Sequence, residues 1–215
     1  MDSATTEATA FAKAQWSALC KKVGVANITT CKWWEVIQDH YAEPWRNPKE
    51  VAMAVYFHDI IYEPKLRDNE ERSADLFMGF AAEALTERME VVPDNVVQLI
   101  LETKLHHTEA HEGAEFGTQD VHYLLDFDMS ILGQIQNAYK QYAANIRKEY
   151  IHVPLSDYCH RRAQVLTTFL ESTKIFCTDE FYKKYEHLAR INVQQEIYLL
   201  SQNTIPSLEP AFCPV

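Results

Sequence analysis

Glycine is scarce, with 5 residues in 215. Tight β-hairpins and phosphate-cradling loops both need backbone positions with positive φ. The shortage therefore argues against all-β folds and glycine-rich nucleotide loops. Paired cysteines are missing too. Cys20, Cys31, Cys159, Cys177 and Cys213 are odd in number, widely spaced and without a CxxC. That pattern fits reduced thiols in a cytoplasmic or nuclear protein, and not a disulfide framework or a zinc–thiolate site. No apolar run approaches the ~20 residues of a membrane span. The opening MDSATTEATAFAKAQW lacks the basic start and apolar stretch of a secretory signal. Positive charge is in deficit, giving a net charge of −11. A surface this acidic repels phosphate backbones and anionic lipid, so neither bulk nucleic acid nor a membrane is an expected partner. A small anionic substrate stays admissible, because a bound cation or local arginines can set the potential inside a pocket. GxSxG, Walker and Rossmann signatures are all absent.

What is present suits a globular chain. Hydrophobic residues make up 47% and charged residues 24%. The length allows one sizeable core, so a single domain over 1–215 is expected, with loose ends at about 1–7 and 203–215. Helical periodicity recurs along it. Ala12, Trp16, Leu19 and Val23 form one apolar stripe, and Trp33, Ile37 and Tyr41 another. Asn47-Pro48 reads as a helix start, with Asn as cap and Pro at the first helical position. The helix that follows carries Val51, Val55, His58 and Tyr62 on one face. Further helices are expected from about Asn69 to Ala84, from Pro93 to His106 and His107, and around Val121 to Leu132. Long ones follow over Ile135 to Tyr150, Leu155 to Leu170 and Asp179 to Leu200. No period-2 strand stands out. The expected fold is all-α, an irregular helical bundle.

Four places could carry chemistry. His58-Asp59 sits on an apolar stripe. A hydrogen-bonded core histidine is the plainer reading, and an ion shared between imidazole and carboxylate the sharper one. In YLLDFDMSILG (123–133), Asp128 has Leu124, Leu125, Ile131 and Leu132 at −4, −3, +3 and +4, while Asp126 points nearly the opposite way. A carboxylate in an apolar face needs a cation or a hydrogen-bond network; a cap or an Arg partner would also serve. LHHTEAHE (105–112) supplies His106, His107 and His111, but its order is not HExxH. For His111 a solvated helix end is the favoured reading. Arg147 in IRKEYIHVP, with Arg161-Arg162, offers guanidinium groups that suit phosphate, although surface ion pairing is their usual role.

The segments AVYFHDIIYEP, DNEERSA, LETKLHH, LLDFDMSILG, IRKEYIHVP and RAQVLTTFL, in this order, resemble a group of HD-domain proteins that are predicted metal-dependent phosphohydrolases. The resemblance runs from about Trp33 to Leu200. It implies an HD-domain-like helical fold whose metal site takes an early His, the His-Asp doublet and a distant Asp. The doublet corresponds to His58 and Asp59 and the distant residue to Asp128. His106 and His107 lie where some members add further histidines, as extra metal or phosphate contacts. Glu70, Glu71, Arg147 and Arg162 match the pattern without an assigned role. One departure stands out. Members follow the DHYAEPWR-like segment with a His-Tyr-His run that provides the first ligand, whereas here Arg46 passes directly into Asn47-Pro48-Lys49-Glu50. His40 lies upstream but does not match the missing position.

The resemblance implies hydrolysis of a small phosphorylated, nucleotide-like substrate at a divalent transition ion. Mixed imidazole and carboxylate donors suit Mn, Fe, Co, Ni or Zn. A decayed, non-catalytic helical module that binds a partner or ligand is the alternative, favoured by the missing histidine. A di-iron oxygenase on the same scaffold would need more His and Asp ligands than the sequence provides in clear positions.

Overall fold

The computed structural model describes residues 46–84 and 91–206. The stripes at Ala12–Val23 and Trp33–Tyr41, together with His40, lie outside the described residues. Within them there are eight α-helices, one 3₁₀ turn and no strand, so the chain is all-α. No described helix is long and apolar enough to cross a membrane.

The helices are α1 Pro48–Phe57, α2 Asn69–Ala84, α3 Pro93–Glu102, α4 Glu109–Glu112, α5 Asp120–Met129, α6 Gln136–Glu149, α7 Leu155–Glu171 and α8 Asp179–Ser201. The 3₁₀ turn Ser130–Gly133 follows α5. They fall into two compact units. The first comprises the described residues up to His107 together with Thr118–Asp128. The second comprises Thr108–Gly117 and the described chain from Met129 on.

In the first unit α1 packs against α2 and α3, and α2 against α3. Phe57 is fully buried and meets Phe77 edge-on at 5.0 Å and Phe80 at 5.2 Å. Pro48 and Pro93 open α1 and α3 as expected, since a first-turn amide has no helical partner to lose. Asn47 differs from expectation in detail. Its side chain makes no cap bond. Instead the backbone amides of Arg46 and Asn47 donate to the two carboxylate oxygens of Asp120, at 2.8 and 2.9 Å. Buried Glu50 serves α3, accepting from the Val92 amide at 2.9 Å and from Asn95 Nδ2 at 3.0 Å. Tyr62 does not extend the α1 face. The helix ends at Phe57, and Tyr62 is exposed in the following loop.

In the second unit α8 packs against α6, α7 and the 3₁₀ turn. Its core holds Leu166, Phe176, Phe181, Ala189 and Val193. Asn192 of α8, almost fully buried, donates to the carbonyls of Leu132 and Gln134, each at 2.8 Å. Those bonds satisfy carbonyls that the end of the 3₁₀ turn leaves open.

Candidate metal site

His58 follows the last residue of α1 and still has helical backbone angles, its amide donating to the Ala54 carbonyl. The imidazole is buried, and its Nδ1 lies 2.9 Å from the Val55 carbonyl. A carbonyl can only accept, so Nδ1 carries the proton and Nε2 faces outward from the helix end. Nε2 lies 3.5 Å from Asp59 Oδ2 and 3.5 Å from Asp128 Oδ1. The loop after His58 is held by α2. Asn69 Oδ1 accepts from the Glu63 amide at 3.0 Å, and Ser73 Oγ from the Ile61 amide at 3.1 Å.

Asp128 comes from α5 and is largely buried, while Asp59 is more than half exposed. The second oxygen of Asp128 meets His106 Nε2 at 2.6 Å. His106 gets there by an uncommon backbone. The helix expected to run to His107 stops at Glu102, and His106 has φ 50°, the left-handed region that costs a non-glycine residue energy. Four side chains thus meet in the first unit, with His58 and Asp128 at the centre.

Electrostatics tie the group together. Burial disfavours a charged His58, but Asp128 and Asp59 outweigh it and push its pKa up to about 9. Burial likewise opposes charge on His106, and Asp128 again raises its pKa. Burial would raise Asp128, yet His106 and His58 hold its carboxyl far below the usual range. At Asp59 partial burial raises the pKa, His58 pulls it down and Asp128 pushes it up.

His107, next to His106, is exposed. Glu71 is exposed and paired with Lys104, and Glu70 sits at the start of α2, close enough to add slightly to the rise at Asp59. Arg147 and Arg162 belong to the second unit and have their own partners there, described below.

Two polar residues are buried where the sequence pointed elsewhere. Asp126 was expected to face away from the apolar side of its helix, yet it is 1% exposed. α5 is buried around most of its circumference, so opposite faces of the helix are both interior. His111 was expected to be solvated but is buried, closing a capping box in which the Thr108 amide donates to its Nδ1 at 2.9 Å. The T-x-x-H spacing was the available signal, although Glu or Gln is the usual partner at that position.

Compared with known proteins, the chain matches no family model, no curated protein and no solved structure.

Proposed function

We propose that this chain is a metal-dependent phosphohydrolase of small, nucleotide-like substrates, with His58, Asp59 and Asp128 holding a divalent transition ion and His106 supporting Asp128 from outside. The observation that carries the proposal is the position of His58 Nε2, at 3.5 Å from each of two carboxylates. Ligands bound at about 2.0–2.2 Å to one ion lie roughly 3–3.5 Å from each other, so this spacing suits donors that share a cation. The donor set of imidazole nitrogen and carboxylate oxygen fits Mn, Fe, Co, Ni or Zn better than Ca. The Val55 carbonyl fixes the imidazole tautomer that leaves Nε2 available.

When bound, such an ion supplies Lewis-acid polarisation of a phosphoryl oxygen and lowers the pKa of an attacking water. The residues have separate tasks. His58 and Asp128 set the position of the site from two helices. His106 Nε2, on Asp128 Oδ2, orients that carboxylate and can hold a proton. Asp59 adds its carboxylate from the exposed side, 3.5 Å from His58 Nε2.

The second reading, a non-catalytic helical module, draws on the absent early histidine. Where that segment would lie, Arg46 and Asn47 are joined directly, and their amides bind Asp120.

Metal analysis separates the two readings. The purified chain is loaded with Mn²⁺ or Zn²⁺, desalted and assayed for bound metal, and phosphate release is followed on a panel of nucleotides. Stoichiometric ion and metal-dependent release, both lost in Asp59→Ala and Asp128→Ala, are expected. A metal-free protein whose stability neither substitution changes overturns the proposal and leaves the module.

A further inference from the structure

The second unit contains a polar cluster built from residues other than those of the metal proposal. Tyr139 and Tyr142 come from α6, Tyr158 and Arg162 from α7, and Glu196 from α8, with Arg147 near the end of α6. Glu196 is almost fully buried, and both its oxygens are used. Oε2 accepts the Tyr139 hydroxyl at 2.5 Å, and Oε1 accepts Arg162 Nε at 3.0 Å. Arg162 Nη2 reaches the Tyr142 hydroxyl at 3.4 Å. Arg147 donates through Nη1 to the carbonyls of Tyr150 and Val153. Its guanidinium stands over the Tyr158 ring, 4.9 Å from the centroid.

Tyr158 is the exception in this network. The residue is 4% exposed, and its hydroxyl has no hydrogen-bond partner among the described residues. A buried hydroxyl in that state is uncommon, because it has given up water for nothing. Its surroundings say what would suit it. Burial raises its pKa to about 12 against the pull of Arg162 and Arg147, with Glu196 and Tyr142 adding to the rise. Tyr158 and Arg162 stand one turn apart on α7, and the Arg147 guanidinium covers the face of the Tyr158 ring. Among the described residues no hydrogen bond leaves Arg162 Nη1 or Arg147 Nη2. Counting charges, Arg147 and Arg162 contribute two positives and Glu196 one negative, which leaves one positive. A buried water would satisfy the hydroxyl but not that charge.

We propose that Tyr158, Arg162 and Arg147 form a binding site for a small oxyanion carrying one negative charge, with the Tyr158 hydroxyl donating to one of its oxygens. A carboxylate or a singly charged phosphate group fits both the charge and the donors. The inference stands apart from the metal reading, since either can fail without the other.

Titration calorimetry at constant ionic strength tests it, with acetate and inorganic phosphate as probes and chloride as the screening control. The full chain is first stripped of metal by a chelator and desalted, so that no ion at the His58 cluster captures a probe, and Tyr158→Phe, which leaves that cluster untouched, is measured beside it. Saturable binding of one probe is expected, and the stronger probe identifies the oxyanion class. Tyr158→Phe removes only the hydroxyl. It should weaken binding about ten-fold or more while unfolding at the same or a higher temperature. Should that variant fail to fold, Arg147→Gln at a half-buried side chain reads the same loss of affinity. No saturable binding beyond chloride, or equal binding by a folded Tyr158→Phe, overturns the site.

Discussion

His58 donates its Nδ1 proton to the Val55 carbonyl one turn back on its own helix, and that bond turns the opposite ring nitrogen toward Asp59 and Asp128. The metal-free cluster is consequently a charge-coupled group. Its pH behaviour follows from the shifts.

His58 titrates at about 9 when folded, against a value of 6.5 without its partners. A raised pKa contributes stability in full below the unfolded value, and this contribution is lost as pH rises through the folded one. The melting temperature of the metal-free chain should therefore fall between about pH 6.5 and pH 9. Asp128 has the opposite sign. Its depressed pKa contributes above the usual carboxylate range and is lost as pH drops below it. His58→Gln should flatten the alkaline limb. An unchanged slope in that variant would show that the imidazole is not the titrating group.

His106 joins a strained backbone to a side-chain contact. His106→Gly should leave folding stability nearly intact, because relief of the left-handed strain offsets the lost contact. Metal affinity should nevertheless drop about 10–100-fold. His106→Val should cost roughly 1–2 kcal/mol in denaturant unfolding, since a β-branched residue is poorly accommodated at φ 50°. Equal stability of the two variants would contradict this account.

Gly133 is required by contact. A Cβ there would sit 2.4 Å from Tyr185 Cβ and 2.8 Å from the Tyr185 carbonyl oxygen. Gly133→Ala should destabilise by about 1–3 kcal/mol or more. Gly79, exposed within α2, has nothing within 4 Å of a built Cβ. Gly79→Ala should stabilise by about 0.5–1 kcal/mol through helix propensity. Thermal melts of the pair give opposite signs if the packing is as described.

Asn192 holds two carbonyls with one amide group. Asn192→Ala strands the buried Leu132 carbonyl and frees the half-buried Gln134 carbonyl, and should cost about 1–3 kcal/mol. A loss under 0.5 kcal/mol, the size of an ordinary surface change, would mean that water replaces the amide.

The helices were legible from the sequence because their causes are local. Apolar residues recurring along one face, and Pro48 and Pro93 where a helix needs no amide, are read over one or two turns. His58 on a Val-rich stripe and Asp128 flanked by leucines were legible for the same reason. Contacts between distant segments were not. Asp128 lies 22 residues beyond His106, and their meeting depends on α3 ending early and on a left-handed turn that no periodicity signals. Asp120 reaches back 74 residues to the Arg46 amide. Asp126 is buried because interior surrounds α5 on opposite faces, and a pattern along one helix records only its own faces. Residue identity and local spacing thus determined the helical class and singled out His58 and Asp128. Only chain packing, which brings remote backbone and side chains within bonding distance, decided which polar side chains meet.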